Sequence, residues 1–339
     1  MPVTIDLAPL AAALRPAERL LLTTHHAPDG DGIGCMLALA EALGRLGKHV
    51  QLVSSGAPPP RFSFLPGASA IRDLSGETTE SIRRISAQVD LVLVVDAHEW
   101  SLLGRLGEVW REGTRSIYFL DHHPPSRSDP AHIFCDPGAP STGELCWQLL
   151  DALEVRCTAS MATCVYAAIA YDTQMFRYLR GRASTHRVAA ALIDAGAESE
   201  RVYRHIFAAN SPAKVALLGE VLQTLQLARG GRIAWAAIRR EQIDRTGASR
   251  DDLRDMIVPL LEIEGVEVAL TFKERDDGSY KVSLRSKGRI PVGPTAARLG
   301  GGGHAFAAGA HLAGPLPDAT ARLIEMLLPE APGDPSPAS

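Results

Sequence analysis

The sequence has few aromatic residues and no long hydrophobic run. Aromatic residues make up 5% of 339 residues and the net charge is −4, so we expect neither a stacking surface nor a basic face for long nucleic acid. No apolar run reaches the roughly 18 residues of a membrane helix, and acidic Asp6 stands where a secretory signal would be basic. These absences predict a cytoplasmic protein that binds neither membranes nor long nucleic acid.

Paired cysteines are also missing. The five cysteines contain no C-x-x-C motif, and an odd number cannot form a complete disulfide set, so we expect reduced, mostly buried thiols.

The chain is longer than one hydrophobic core usually supports, and 46% hydrophobic residues are enough to fill two cores. Two domains are expected, and both a monomer and a homodimer remain open.

Short apolar runs alternate with helical patterns in the first half of the chain. The predicted strands are residues 20–24, 50–54, 91–95 and 117–120, with helices at 33–46, 142–153 and 159–170. This alternation predicts an α/β fold with a doubly wound, mainly parallel sheet. Later strands at 233–238, 266–273 and 280–285 predict a smaller C-terminal α/β domain. The predicted divisions are a catalytic domain at 1–190, a helical linker at 191–227, a second domain at 228–328 and a disordered tail at 329–339.

Histidine and aspartate residues follow three of the predicted strands and one predicted helix. Because the carboxyl ends of parallel strands meet at one edge of a sheet, we expect these side chains to lie together. They offer oxygen and imidazole ligands without thiolate, a set that favours manganese and remains compatible with magnesium, cobalt, zinc or iron. The candidate metal ligands are His25, Asp29, Asp31, Asp96, His122 and Asp172.

Each of these motifs also has a purely structural interpretation. Residues 28–32 are typical of a turn, and Asp96 or Asp172 could each cap a helix. The glycines at 30, 32 and 34 also suit a dinucleotide-binding turn, although Asp29 and Asp31 would place negative charge where pyrophosphate binds. A dinucleotide-dependent oxidoreductase and a nucleotide-binding module without catalysis therefore stay as alternatives. Other histidines, His98 among them, receive no role.

A basic cluster and a glycine run mark the C-terminal part. Four glycines at 300–303 precede His304, and such a backbone can lie against an anion. Upstream, the planar guanidinium of Arg285 could grip a phosphate. A solvated strand end and a flexible connector are the structural alternatives. The predicted substrate-binding residues are Arg285, Ser286, Gly301, Gly302, Gly303 and His304.

Taken together, these motifs resemble the DHH phosphoesterase superfamily with a DHH-associated C-terminal domain. The matching motifs are His25-x-x-Pro-Asp29-Gly-Asp31, Asp96, Asp121-His122-His123, Asp172-Thr173, and Gly300–His304 with Ala308-Gly309. The resemblance implies that His25 and Asp29 hold one metal, that Asp31, His122 and Asp172 hold another, and that Asp96 bridges both. It also implies a catalytic His123 facing the phosphate and an Asp121 that orients the histidine ligands.

Within this superfamily the compact length resembles the NrnA-type branch, which degrades very short single-stranded RNA, including dinucleotides, and dephosphorylates 3′-phosphoadenosine 5′-phosphate (pAp). Cyclic- or linear-dinucleotide phosphodiesterases are the alternative branch. The resemblance implies in-line attack on phosphorus by a hydroxide bridging the two metals, with substrate in a cleft between the domains. One departure is Gln174, which stands where the family's fourth motif continues with glycine.

Overall fold

The structure, a computed structural model, describes residues 5–111, 116–124, 132–179, 181–249, 252–253 and 255–328. The chain divides into two compact units, Met1–Ala209 and Asn210–Ser339. This boundary falls inside the segment predicted as a helical linker. The tail predicted at 329–339 lies outside the described residues.

The first unit is built on a six-stranded sheet whose neighbouring strands are all parallel, in the order β3-β2-β1-β4-β5-β6. Its strands are β1 (Arg19–Thr23), β2 (His49–Ser54), β3 (Arg72–Asp73), β4 (Leu91–Val95), β5 (Ser116–Asp121) and β6 (Ile133–Cys135). All five residues of β4 are buried, as expected for an apolar strand covered on both faces. The predicted doubly wound parallel sheet is confirmed.

Separate cores cover the two faces of this sheet. Leu20 and Leu22 belong to one core and Leu21 to the other, because successive side chains of a strand point to opposite faces. Helices α1, α2, α5 and α6 pack in the first core, whereas α3 and α4 pack in the second. The helices of the unit are α1 (Ala8–Leu14), α2 (Gly30–Arg45), α3 (Thr79–Ser86), α4 (Arg105–Arg111), α5 (Thr142–Ala152), α6 (Ala159–Asp172), α7 (Ala183–Asp194) and α8 (Ser199–Ile206).

The predicted start of one helix needs correction, and the cap of another differs from what its residue spacing favours. Helix α2 begins at Gly30 instead of residue 33, because the Asp29 carboxylate accepts hydrogen bonds from the amides of Asp31 and Gly32. Ser141 and Glu144 have the spacing of a capping box, and Ser141 does cap α5, with its Oγ accepting from the Glu144 amide. The Glu144 carboxylate does not complete a capping box, however, because it accepts hydrogen bonds from two hydroxyls of α7 instead.

The second unit contains a mixed six-stranded sheet in the order β11-β12-β10-β9-β8-β7. Its strands are β7 (Gln226–Ala228), β8 (Ile233–Ile238), β9 (Val268–Glu274), β10 (Tyr280–Ser286), β11 (Gly302–His304) and β12 (Ala307–Leu312). Its helices are α9 (Pro212–Leu222), α10 (Arg240–Thr246), α11 (Val258–Leu261), α12 (Gly293–Arg298) and α13 (Leu316–Leu327). Strands β8 and β9 pair in parallel and the other pairs are antiparallel. The predicted second α/β domain is confirmed.

Candidate metal centre

The candidate ligands of the first unit converge at the carboxyl edge of its parallel sheet. The chain leaves β1 toward β2 on one side and later returns to place β4 on the other, so β1 and β4 flank the point where the strand order reverses. His25 follows β1 and Asp96 follows β4. Ligand sites of open α/β sheets form at such a point, and the fold therefore explains why distant residues meet here.

Asp96 lies at the middle of the cluster. Its Oδ2 lies 3.5 Å from His25 Nε2, and its Oδ1 lies 3.9 Å from His122 Nε2 and accepts a 3.1 Å hydrogen bond from the Thr142 hydroxyl. The side chain is 4% exposed. Its backbone has φ of 57°, in the left-handed region that aspartate tolerates better than most residues. A strained conformation held at a cluster of charged groups is typical of a functional position.

His25, Asp29 and Asp96 form the first ligand group. Their ligand atoms all lie within 4.8 Å of one another, with 3.7 Å between His25 Nε2 and Asp29 Oδ1. Burial alone would lower the pKa of His25, but hydrogen bonding and charge from Asp29 and Asp96 outweigh it and raise the pKa to about 10. The two carboxylates thus attract positive charge strongly at this point.

Asp31, His122 and Asp172 form the second ligand group, which fits the same distance limit. His122 Nε2 lies 3.8 Å from Asp31 Oδ2 and 3.1 Å from Asp172 Oδ2. Its other ring nitrogen, Nδ1, lies 3.1 Å from the Ala139 carbonyl. Donation to that carbonyl leaves Nε2 with its lone pair, the form of the ring that binds metals.

The surroundings of these groups suit cations. Among the described residues, the buried His122 Nε2 forms no hydrogen bond of good geometry, although Asp172 Oδ2 lies 3.1 Å away and Asp31 and Asp96 also face it. Asp31 is completely buried, and burial together with the charges of Asp96, Asp172 and Asp29 raises its pKa well above the usual range. Divalent cations would accept the lone pair of His122 Nε2 and would neutralise the crowded negative charge. The residues present therefore fit a two-metal site.

Asp121 lies behind the two groups. Its Oδ1 is 2.8 Å from His123 Nδ1 and accepts from the amides of His122 and His123, while its Oδ2 is 2.9 Å from His98 Nδ1. Burial would raise its pKa, but the hydrogen bonds from His123 and His98 outweigh burial and hold the pKa below its usual range. Both Asp121 oxygens are thus occupied by protein donors, although Asp121 also falls in a third group with Asp96, His122 and His123.

His98 and Thr142 were missed at the sequence level. His98 stacks on His123 with ring centroids 5.6 Å apart, in addition to its bond to Asp121. Its position two residues after Asp96, at the end of a strand, was the available signal. Thr142 had no such signal, because its contact with Asp96 spans 46 positions. The amides of Thr142 and Gly143 also bind the Asp31 carboxylate, at 2.7 and 2.8 Å.

The C-terminal candidates lie together at one end of the second sheet. Arg285 on β10 and His304 on β11 both pair with Ala307, which lies on the strand between them. Ser286 is buried, and its Oγ accepts from the Gly288 amide. A Cβ on Gly301 would lie 2.0 Å from the Gly309 carbonyl oxygen and one on Gly303 2.5 Å from that of Ala307. Close strand packing therefore requires these two glycines.

Family models match both units. The DHH family N-terminal domain matches residues 19–169, and the DHHA1 domain matches residues 230–328. The bifunctional oligoribonuclease and PAP phosphatase NrnA of Thermus thermophilus is 33% identical over 315 residues, which cover 92% of this chain and 90% of that protein. The chain belongs to the DHH family. It is accordingly a hydrolase of phosphoester bonds, as the sequence motifs predict.

Solved structures share the fold. An exopolyphosphatase-related protein from Bacteroides fragilis superposes with a TM-score of 0.89 at 22% identity, covering 96% of this chain and 97% of its own. RecJ in complex with Mn²⁺ from Thermus thermophilus superposes with a TM-score of 0.56 at 16% identity, covering 95% of this chain and 55% of its own. Among the described residues of this DHH protein, no helix combines the length and apolar character needed to cross a bilayer.

Proposed function

We propose that this DHH protein uses two divalent cations to hydrolyse short RNA oligonucleotides to mononucleotides and to dephosphorylate pAp. The observation that carries the proposal is the pair of ligand groups on either side of Asp96, whose two oxygens face His25 and His122 respectively. One carboxylate can therefore serve both groups. Two adjacent cations are the arrangement that phosphoester hydrolysis uses repeatedly.

His25 and Asp29 would hold one cation, Asp31, His122 and Asp172 the other, and Asp96 both. Manganese suits this mixture of imidazole and carboxylate, with magnesium and cobalt as further candidates. Cations held there supply charge that stabilises phosphate oxygens and makes a water molecule more acidic. The protein's own contribution is to hold the ligands in place: Asp29 is fixed by two α2 amides and Asp31 by two α5 amides.

His123 is the proposed partner of the leaving oxygen. Its Nδ1 is held by Asp121, and its side chain is 29% exposed, in contrast to 1% for His122. The Asp121 carboxylate contributes to raising the pKa of His123 against the opposing effect of burial. A ring that is held through Nδ1, keeps its proton and faces solvent can donate a hydrogen bond from Nε2 to the departing oxygen.

Short substrates fit the charge and composition of the chain. A net charge of −4 and 5% aromatic residues favour a local anion site over a long basic groove. We propose that Arg285, Ser286, the glycines at 301–303 and His304 bind a substrate phosphate. The name of the Thermus relative, an oligoribonuclease and PAP phosphatase, supports the same substrates.

A manganese-supplemented assay across pAp, pApA, pGpG, a five-residue RNA, a long RNA and a cyclic dinucleotide tests the substrate assignment. We expect turnover of pAp and the short RNAs, and equal rates on short and long RNA would contradict it. Preferred cleavage of the cyclic dinucleotide would instead identify the alternative branch.

Asp96→Asn tests the metal centre. Asparagine keeps the size of the side chain and tolerates the left-handed backbone, whereas alanine would add strain. Loss of the shared charge should lower kcat by more than about 100-fold, since even residues outside the ligand set cost about 10–100-fold. His26→Gln is the matched control, because the His26 ring contacts the Leu102 carbonyl instead of the ligand groups. Normal activity of Asp96→Asn would refute the two-metal proposal.

A further inference from the structure

A buried arginine lies beneath the second ligand group. The Arg182 side chain is 7% exposed and directly precedes α7. Its Nη2 donates a 2.7 Å hydrogen bond to Asp136 Oδ2, and its Nη1 lies 3.8 Å from Glu144 Oε1. Both acidic partners are also buried. Desolvating buried charges costs several kcal/mol per ion, which only good pairing offsets. A buried charged cluster is therefore weak evidence for stability alone and is better explained by a positioning role.

On one side, the cluster is connected to His122 through Asp136 and the turn that follows it. Asp136 Oδ1 accepts a 2.9 Å hydrogen bond from the Gly138 amide, and the Asp136 carbonyl accepts one of 2.9 Å from the Ala139 amide. The Ala139 carbonyl in turn lies 3.1 Å from His122 Nδ1. The guanidinium packs directly on this turn, because a Cβ on Gly138 would lie 2.7 Å from Arg182 Nη2. Arg182 thereby contacts the turn that carries the Ala139 carbonyl.

On the other side, the cluster is connected to Asp31 through Glu144. Glu144 lies in the first turn of α5, whose leading amides bind the Asp31 carboxylate. The Glu144 carboxylate is held from the other side by the hydroxyls of Ser184 at 3.0 Å and Thr185 at 2.7 Å. Arg182 therefore contacts the two segments that hold Asp31 and His122. These two are the buried members of the group Asp31, His122 and Asp172.

We infer that Arg182 is a positioning residue for one of the two cations, the one held by Asp31, His122 and Asp172. The inference rests on the proposed two-cation site and extends it. The planar fork of arginine presents separate nitrogens to two acidic partners in fixed directions, whereas the lysine ammonium is a single point charge on a flexible stem. Groups hydrogen-bonded to metal ligands affect metal affinity by about 10–100-fold, and Arg182 contacts the two segments that supply those groups here, the Ala139 turn and the first turn of α5. The first ligand group, His25 with Asp29, has no contact with Arg182 among the described residues and should be unaffected.

Direct measurement of Mn²⁺ binding by titration calorimetry tests this role in wild type, R182K, R182Q and D136N. We expect wild type to bind two ions, and each variant to bind one of them about 10–100-fold more weakly while the other affinity stays unchanged. At limiting Mn²⁺ the kcat should fall and should recover with excess Mn²⁺, whereas KM should not change. R187Q removes the same charge from an exposed position of α7 and serves as the control.

The possible outcomes separate the two proposals. If wild type does not bind two ions, the proposed function fails. If wild type binds two and R182K and D136N keep both affinities while their Tm falls, Arg182 is merely structural and the inference is overturned. R182Q leaves two buried carboxylates without their cation and could prevent folding, in which case R182K and D136N decide the question, because they keep the charge or the shape of the cluster. Weakening of both ions equally would also overturn the inference.

Discussion

The acid–base behaviour of His25 gives the sharpest quantitative test of the site. Its pKa rises from 6.5 to about 10, because Asp29 and Asp96 outweigh the opposing effect of burial. The pKa of His25 is higher in the folded protein than in the unfolded chain. The stability that His25 contributes is therefore fully present below its unfolded pKa and is lost as the pH rises toward its folded pKa. Each pH unit in that window removes about 1.4 kcal/mol. Because the unfolded histidine is still half protonated at its own pKa, raising the pH by two units from that point should lower the free energy of unfolding by about 2 kcal/mol, or Tm by roughly 4–8 °C.

The measurement is thermal unfolding of EDTA-treated protein at about pH 6.5 and about pH 8.5, the window set by the His25 pKa shift. Wild type should lose stability with pH, and any of Asp31, His122 and His123 whose raised folded pKa falls in this window adds to the loss. His25→Gln should reduce the loss by the share that His25 contributes, whereas the exposed control His49→Gln should keep the loss in full. Excess Mn²⁺ should abolish the loss, because metal ions replace the bound protons. Equal pH dependence in wild type and His25→Gln would refute the pairing of His25 with the carboxylates.

Three further substitutions test the packing around the site. Thr142→Val removes a buried hydrogen bond to a carboxylate and should cost about 1.5–3 kcal/mol in urea unfolding, whereas Thr320→Val replaces a buried hydroxyl for which the described residues offer no partner and should cost little. Gly32→Ala would place a Cβ 2.0 Å from the Thr24 hydroxyl oxygen and should destabilise by about 3 kcal/mol or prevent folding. Gln174→Gly should raise Tm slightly. The backbone of Gln174 has a left-handed φ of 48°, and relief of this strain should stabilise the folded state by about 1–2 kcal/mol. The added flexibility of glycine in the unfolded chain should cost only about 0.5–1 kcal/mol. Equal losses for the two threonine variants, a stable Gly32→Ala protein or a less stable Gln174→Gly protein would each contradict this reasoning.

The parallel sheet and its ligand edge could be predicted because their signals are local. A strand such as β4 is a short, entirely apolar run that must be buried on both faces, and the polar residue that ends it marks the carboxyl edge. The pairing of β4 with β5 then brings Asp96 beside the segment that carries His122. Periodicity and strand ends were therefore sufficient to predict that these candidate ligands lie together.

The supports of those ligands could not be predicted in the same way. The bond from the Thr142 amide to Asp31 spans 111 positions, and it depends on where the first turn of α5 packs. Arg182 likewise reaches Asp136 across 46 positions. Nothing in the local sequence distinguishes such an arginine from a solvated one. His98 is the intermediate case, since its place after β4 was visible but its partner lies on the neighbouring strand.

The alternative of a dinucleotide site at the same glycine-rich turn fails for a specific reason. In such a site the amides at the start of the helix bind pyrophosphate. Here the amides of Asp31 and Gly32 at the start of α2 already donate to the Asp29 carboxylate, at 3.0 and 3.4 Å. The glycines serve helix packing instead, since a Cβ on Gly34 would lie 2.4 Å from the Cys164 carbonyl oxygen. The sheet has the strand order of dinucleotide-binding domains, but carboxylates lie where its strand order reverses. Their negative charge favours cations at the position where a dinucleotide site binds phosphate.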